Sequence, residues 1–193
     1  MITSKTELKA FIKYEDEQYR KYMYPTRSRR FFGNVKSEPV ISIMRWQANS
    51  RKADYYKYRK SHGGSFVDKI AYLFYTRRRN RLGRKLGIEA ETFNVGKGLL
   101  VFHHAGGIVL NGSTKIGEHC HLHGNNCIGN SGKVLDCPVL GDNIMLGVGA
   151  KVIGNVRVAN NVKIAAGAVV VKDVLEEGCT VGGIPAKEIS TKP

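Results

Sequence analysis

Two adjacent imidazoles, His103 and His104, stand in the run Phe102-His103-His104-Ala105-Gly106-Gly107, directly ahead of Ile108. An imidazole takes and returns a proton near neutral pH, so either side chain is chemically fit to serve as a general base on a hydroxyl. A second group, His119-Cys120-His121-Leu122-His123, offers three nitrogens of the kind that ligate zinc. The four cysteines, Cys120, Cys127, Cys137 and Cys179, form no CxxC pair and read as reduced thiols of a cytoplasmic protein. Cys127, next to Ile128, reads as a packing residue rather than a nucleophile.

What must position these groups is a repeat. Every sixth residue from Leu140 is aliphatic: Leu140, Leu146, Val152, Val158, Ile164 and Val170. Four places after each comes another aliphatic residue: Ile144, Ala150, Val156, Val162, Ala168 and Val174. That period is neither helical nor the alternation of a half-buried strand; it predicts short strands and turns, three to a coil, stacked as a parallel β-helix. The hexads begin at Val95, with Val101 six later, but Ile108 follows after seven and Ile116 after eight. This irregularity pushes residues 102–107, with both histidines, out of the prism. Regularity returns through Ile116, Leu122 and Ile128; a twelve-residue step to Leu140 then predicts that GNSGKVLDCP leaves the coil as a short loop. The same phase argues against a metal, because Cys120 and Leu122 take inward positions and His119, His121 and His123 fall at three different turn positions, His119 facing solvent.

The first half of the chain differs. Residues 5–23, 41–59 and 66–86 read as helices, the last burying Ile70, Leu73, Phe74 and Leu82 and ending in Arg77, Arg78, Arg79, Arg81, Arg84 and Lys85. The link TRSRRFFGNVKSEP reads as a loop. Residues 1–94 hold 22 Lys/Arg against 9 Asp/Glu, whereas residues 95–193 hold 9 against 7. A field of that sign attracts anions, and an anionic membrane surface or a phosphate-bearing acceptor suits it. Nucleic acid is not expected, since no reader motif is present. No apolar run approaches the roughly 18 to 20 residues of a membrane span, and the N-terminal stretch lacks a signal-peptide core, so export is not expected. The division predicted is a basic α-helical region (1–90), a β-helix (91–178) and a tail (179–193) that leaves the prism and folds back along it.

At FHHAGGIVLNG and at LGVGAKVIGNVRVANNVKIAAGAVVVKDV, followed by VGGIPAK, the chain resembles the hexapeptide-repeat acyltransferases. It is most similar to serine O-acetyltransferases and to the O-acetyltransferases of bacterial surface-polysaccharide synthesis, and the helical RKADYYKYRK and DKIAYLFYTRRRNRLGRKLG resemble the second group too. The fold class this implies is mainly β, a left-handed parallel β-helix with an N-terminal α-helical region. The implied reaction is direct transfer of acetyl from acetyl-CoA to a hydroxyl.

The His-x-x-Gly-Ile pattern carries the catalytic role to His104; counting forward from Gly98 selects His103 instead, because this chain has one extra residue there. Where serine acetyltransferases place an aspartate before the histidine this chain has His103, and a second orienting aspartate falls at Ile88, which leaves Glu89 or Glu91 to supply the carboxylate. The acceptor-side histidine of the resemblance is Cys137 here. These departures point to a saccharide hydroxyl as acceptor, with L-serine as the alternative and a metal-dependent or non-catalytic relative as the third. The resemblance also implies a homotrimer with acetyl-CoA in the groove between copies, its pantetheine arm on backbone groups of Gly147, Val148, Ala165 and Ala166, and its phosphates met by Lys172 and Lys187.

Overall fold

The computed structural model describes residues 2–90, 94–132 and 136–191. It divides into two units, Met1–Leu86 and Gly87–Pro193.

The first unit is four helices: α1 (Lys5–Tyr22), α2 (Arg27–Val35), α3 (Pro39–Ser61) and α4 (Phe66–Leu86). Each start has a local chemical cause. Ser4 accepts from the Glu7 amide at 3.1 Å, and Thr26 accepts from the Arg29 amide at 3.2 Å. Pro39 takes the first turn of α3, where its missing N–H costs nothing. Ser65 and Asp68 cap each other reciprocally, the Ser65 amide donating to Asp68 at 2.8 Å. α2 replaces the loop expected there: with Thr26 capping its start, Tyr24 donates to Glu38 at 2.6 Å and ties the two ends of the segment together.

Four of the nine residues that α3 buries, Gln47, Asn49, Ser50 and Arg51, are polar, and these polar groups are paired. Tyr19 donates to Gln47 at 3.0 Å, Asn49 to the Arg45 carbonyl at 2.6 Å, Ser50 to the Trp46 carbonyl at 3.0 Å, and Arg51 Nε to Glu15 at 3.0 Å. The α3 tyrosines pack on α4, with the Tyr56 and Tyr75 rings stacked 5.5 Å apart. Here a second expectation fails. Ile70, Leu73 and Phe74 are exposed, not buried, because α4 turns Asp68 and Tyr75 toward α3 instead.

The second unit is a left-handed parallel β-helix. Its first face is a five-stranded sheet with Ile88–Ala90, Ile108–Leu110, Asn126–Gly129, Lys151–Ile153 and Val169–Val170 in that order. The second face has three strands, Lys115–Ile116, Val139–Leu140 and Arg157–Val158, extended by bridges at Val95 and Val174. The third runs through Leu100–Val101, His121–Leu122, Met145–Leu146, Lys163–Ile164 and Cys179–Gly182, with Lys187–Thr191 returning antiparallel. The inward rows are aliphatic and buried, for example Val101, Leu122, Leu146, Ile164 and Val181 on the third face. Each such side chain contributes about 1.5–3 kcal/mol by leaving water.

Pairing register moves three boundaries. Ile88–Ala90 pairs with Ile108–Leu110 and is therefore the first strand of the prism. Cys179–Gly182 pairs with Lys163–Ile164 and completes a coil, so the chain leaves the prism only after Gly182. Leu110, not Ile108, lines up with Ile128 and Val152, so the irregular stretch is a three-residue insertion confined to one corner. Ile108 instead lies in register with Asn126, at the smaller inward position.

Candidate active site

The corner that joins the third face to the first holds the insertion. Phe102 donates to the Leu122 carbonyl at 2.9 Å on leaving the third face, and Ile108 donates to the Gly87 carbonyl at 2.9 Å on entering the first. Between them the chain bulges outward, and the bulge is closed by the Gly107 amide donating to the His104 carbonyl at 3.1 Å. His103 is exposed and His104 half-buried. Directly below lies Gly124 at φ 104°, where a Cβ would stand 3.0 Å from the His103 carbonyl oxygen and 3.2 Å from the His103 Cβ. The bulge can seat only on a residue without a side chain.

His103 leans toward a group of imidazoles. Phe102 stacks on His123 at 4.7 Å and meets His121 edge-on at 5.7 Å. Burial lowers the pKa of His123, and neighbouring His103 lowers it further. His121 is lowered by burial first, then by His123 and His119. His119 sits apart at another corner, in the left-handed conformation (φ 58°) that Asn143 and Asn161 also adopt. Among the described residues, no three His, Cys, Asp or Glu side chains are grouped to hold a metal. Cys120 faces the interior, where burial pushes its thiol up to about 12, and burial also raises Cys127.

The corner continues downward through small residues. The amides of Gly147 and Ala165 point along the prism to the next coil, where they donate to the carbonyls of Ile164 and Val181 at 2.8 Å. A Cβ on Gly147 would lie 2.6 Å from the Ala166 nitrogen, so the coils can touch here only because the residue is glycine. Val148 and Ala166 are exposed, and among the described residues their amides donate to no protein acceptor. Of the four residues expected to meet a pantetheine arm, these two have outward donors to give. Lys187 ends the column: it pairs with Gly182, whose Cβ position lies 3.4 Å from the Ala165 methyl.

The remaining candidates lie elsewhere. Glu89 is on the outer side of the first face, in line with Val109, Cys127 and Lys151, and hydrogen-bonds to neither histidine. Glu91 lies outside the described residues. Lys172 follows Val170 at the corner between the first and second faces, across the first face from Lys187. Cys137 is at that same corner, buried, its thiol donating to Asn111 at 3.3 Å.

One residue of the corner was missed. Asn126 is 2% exposed; its oxygen accepts from the Gly124 amide at 2.9 Å, and its nitrogen donates to the carbonyls of Gly147 (2.8 Å) and Ala150 (3.2 Å). It thus ties the seat of the histidine bulge to the small-residue column. The signal was present: four places after Leu122, the hexad asks for an aliphatic residue and finds an amide.

No protein-family model matches the chain. The serine acetyltransferase of Helicobacter pylori (strain J99) is 34% identical over 137 residues, 69% of this chain and 77% of that protein. That of Synechococcus elongatus is 37% identical over 97 residues, 49% of this chain but only 39% of the relative's own length. Among solved structures, the Neisseria gonorrhoeae serine acetyltransferase in complex with serine superposes with a TM-score of 0.70 at 26% identity, covering 97% of this chain and 71% of that one.

Proposed function

Because the chain belongs to the serine acetyltransferase family, whose members are acetyl-CoA-dependent acyltransferases, we propose that it transfers acetyl from acetyl-CoA to the hydroxyl of serine. This replaces the saccharide acceptor expected from the sequence, since the relatives that match over most of their length are serine acetyltransferases. The observation that carries the reading is the single corner on which the histidine bulge, the two outward amides of Val148 and Ala166, and Lys187 are stacked in order.

In this mechanism His104 takes the proton from the serine hydroxyl as its oxygen bonds to the thioester carbon. The C–S bond then breaks, the sulfur leaves as the thiol of CoA on receiving that proton, and no acyl-enzyme forms. The amides of Val148 and Ala166 bond the pantetheine arm, and Lys187 meets a phosphate. Cys137 and Lys172 stand on a different edge of the prism from the histidines. They enter the site only if a second copy lays that edge beside the histidine corner, which is the basis for proposing a trimer.

A saccharide hydroxyl remains the second reading, favoured by the thiol of Cys137 standing where the resemblance expects an acceptor-side imidazole. The discriminating assay follows thiol release from acetyl-CoA with free serine or with nucleotide sugars. Serine-dependent release supports the proposal; release with a sugar and none with serine transfers the site to the second reading.

A further inference from the structure

The outward side of α4 carries two chemistries in series. Phe66, Val67, Ile70, Leu73 and Phe74 occupy its first half and are 51 to 75% exposed. Arg77, Arg78, Arg81, Arg84 and Lys85 continue through the second half, all exposed. At helical spacing, positions 66, 70, 73, 77, 81 and 84 fall within an arc of about 80°, so they form one stripe. Arg78 lies over the Phe74 ring at 5.7 Å, where the two halves meet. Asp68, the one acidic residue of α4, is turned away and held by Arg59 at 3.1 Å. Among the described residues no carboxylate pairs with any of the five cations. Arg79, expected in this basic run, is buried and takes no part.

The surroundings have the same sign. The helical unit holds 22 Lys/Arg against 7 Asp/Glu. A second copy of the helical unit seated on this stripe would therefore set like charge against like charge, and a polyanion alone would leave five large apolar side chains in water. An anionic bilayer surface satisfies both halves at once: acyl chains receive the apolar groups while lipid phosphates receive the guanidinium groups. Among the described residues no helix is long and apolar enough to cross a membrane, so the contact lies in the plane of the surface. We propose that α4 docks this protein on anionic lipid bilayers, with Phe66, Ile70, Leu73 and Phe74 at the acyl boundary and Arg77, Arg78 and Arg81 on headgroup phosphates.

The test uses the full chain with vesicles of phosphatidylcholine alone or mixed with phosphatidylglycerol, separated by sedimentation. Binding is expected to the mixed vesicles and not to phosphatidylcholine, and to fall as salt is raised. Replacing Arg77, Arg78 and Arg81 with glutamine is expected to weaken it on the order of a hundredfold. Phe66→Ser with Leu73→Ser should weaken it tenfold or more at unchanged net charge. Equal binding to both vesicle types, or binding indifferent to both sets of substitutions, overturns the proposal. So does a fall in particle mass for the Phe66→Ser, Leu73→Ser variant without vesicle binding by the parent, which would assign the stripe to a second copy. Serine-dependent thiol release measured without vesicles should be unchanged in these variants. Absence of that activity in the parent alongside intact vesicle binding would sink the acceptor and leave the surface standing.

Discussion

The two units solve the same problem with opposite chemistry. The helical unit holds 22 Lys/Arg against 7 Asp/Glu, whereas Gly87–Pro193 holds 9 against 9. Of the polar or charged side chains buried among the described residues, Glu15, Gln47, Asn49, Ser50, Arg51, Asp68 and Arg79 belong to the helices, and only Thr114 and Asn126 to the prism. The prism is stabilised by repetition of apolar rows that any aliphatic residue of suitable size can fill. The helical unit depends on particular pairs. Chemistry in the prism therefore sits on its rim, where one insertion breaks the repeat, and damage to it should separate activity from stability. Damage to the helical interior should not.

The largest effect expected follows from that rim. His104→Ala should lower kcat for thiol release by a factor on the order of 10² to 10⁴, while the thermal midpoint stays put, since the side chain projects from a bulge outside the packed rows. His103→Ala should change kcat only slightly. The reverse ranking would move the base to the imidazole that leans on His123.

Next comes the interior of the helices. Glu15→Ala leaves Arg51, 1% exposed, without its carboxylate, and should cost about 3–5 kcal/mol. Loss of helical ellipticity at lower denaturant, with the β signal of the prism unchanged, would show that the units unfold separately. A single shared transition would mean that they do not. The prism counterpart is smaller: Asn126→Ala strands the Gly124 amide and takes one of two donors from each of the Gly147 and Ala150 carbonyls, costing about 1–3 kcal/mol. Because it loosens the Gly147 column, KM for acetyl-CoA should rise more than kcat falls.

The same contrast governs what could be read in advance. Every coil restates one constraint, so the inward rows from Leu140 to Val170 and the bulge at the histidines were legible in the hexads. The exact re-entry was not, because Ile108 and Leu110 are both aliphatic and only pairing with Ile128 decides between them. In α4, periodicity correctly put Ile70, Leu73 and Phe74 on one face, but spacing cannot say which face meets a neighbour. Tyr75, which stacks on Tyr56, and Asp68, which holds Arg59, decided that. α2 hid because its cap and its tie between Tyr24 and Glu38 lie outside any apolar pattern. Glu89, expected to supply the carboxylate, lies between two inward positions and so points outward from the first face, a direction that its place between Ile88 and Ala90 already dictates.

The smallest effect, and the one that separates the units most cleanly, is acid sensitivity. His121 and His123 have pKa values below the ordinary 6.5, chiefly because burial disfavours their charged forms. A depressed folded value means that the unfolded chain binds protons first, so their contribution is whole above about 6.5 and is lost as pH falls through the lower folded values. Asp68 is also depressed, in its case below the ordinary 3.8, first by the Ser65 amide and then by Arg59 and the Ser65 hydroxyl, against an opposing effect of burial. Its contribution is present above about 3.8 and disappears only on further acidification. Acid should therefore loosen the third face of the prism first and the start of α4 later. Amide exchange measured across both windows checks this: protection at His121–Leu122 should fall in the histidine range while protection at the start of α4 persists. Asp68→Asn should remove the lower window and leave the upper one unchanged. Simultaneous loss at both places would mean that one cooperative unit, not two, is being titrated.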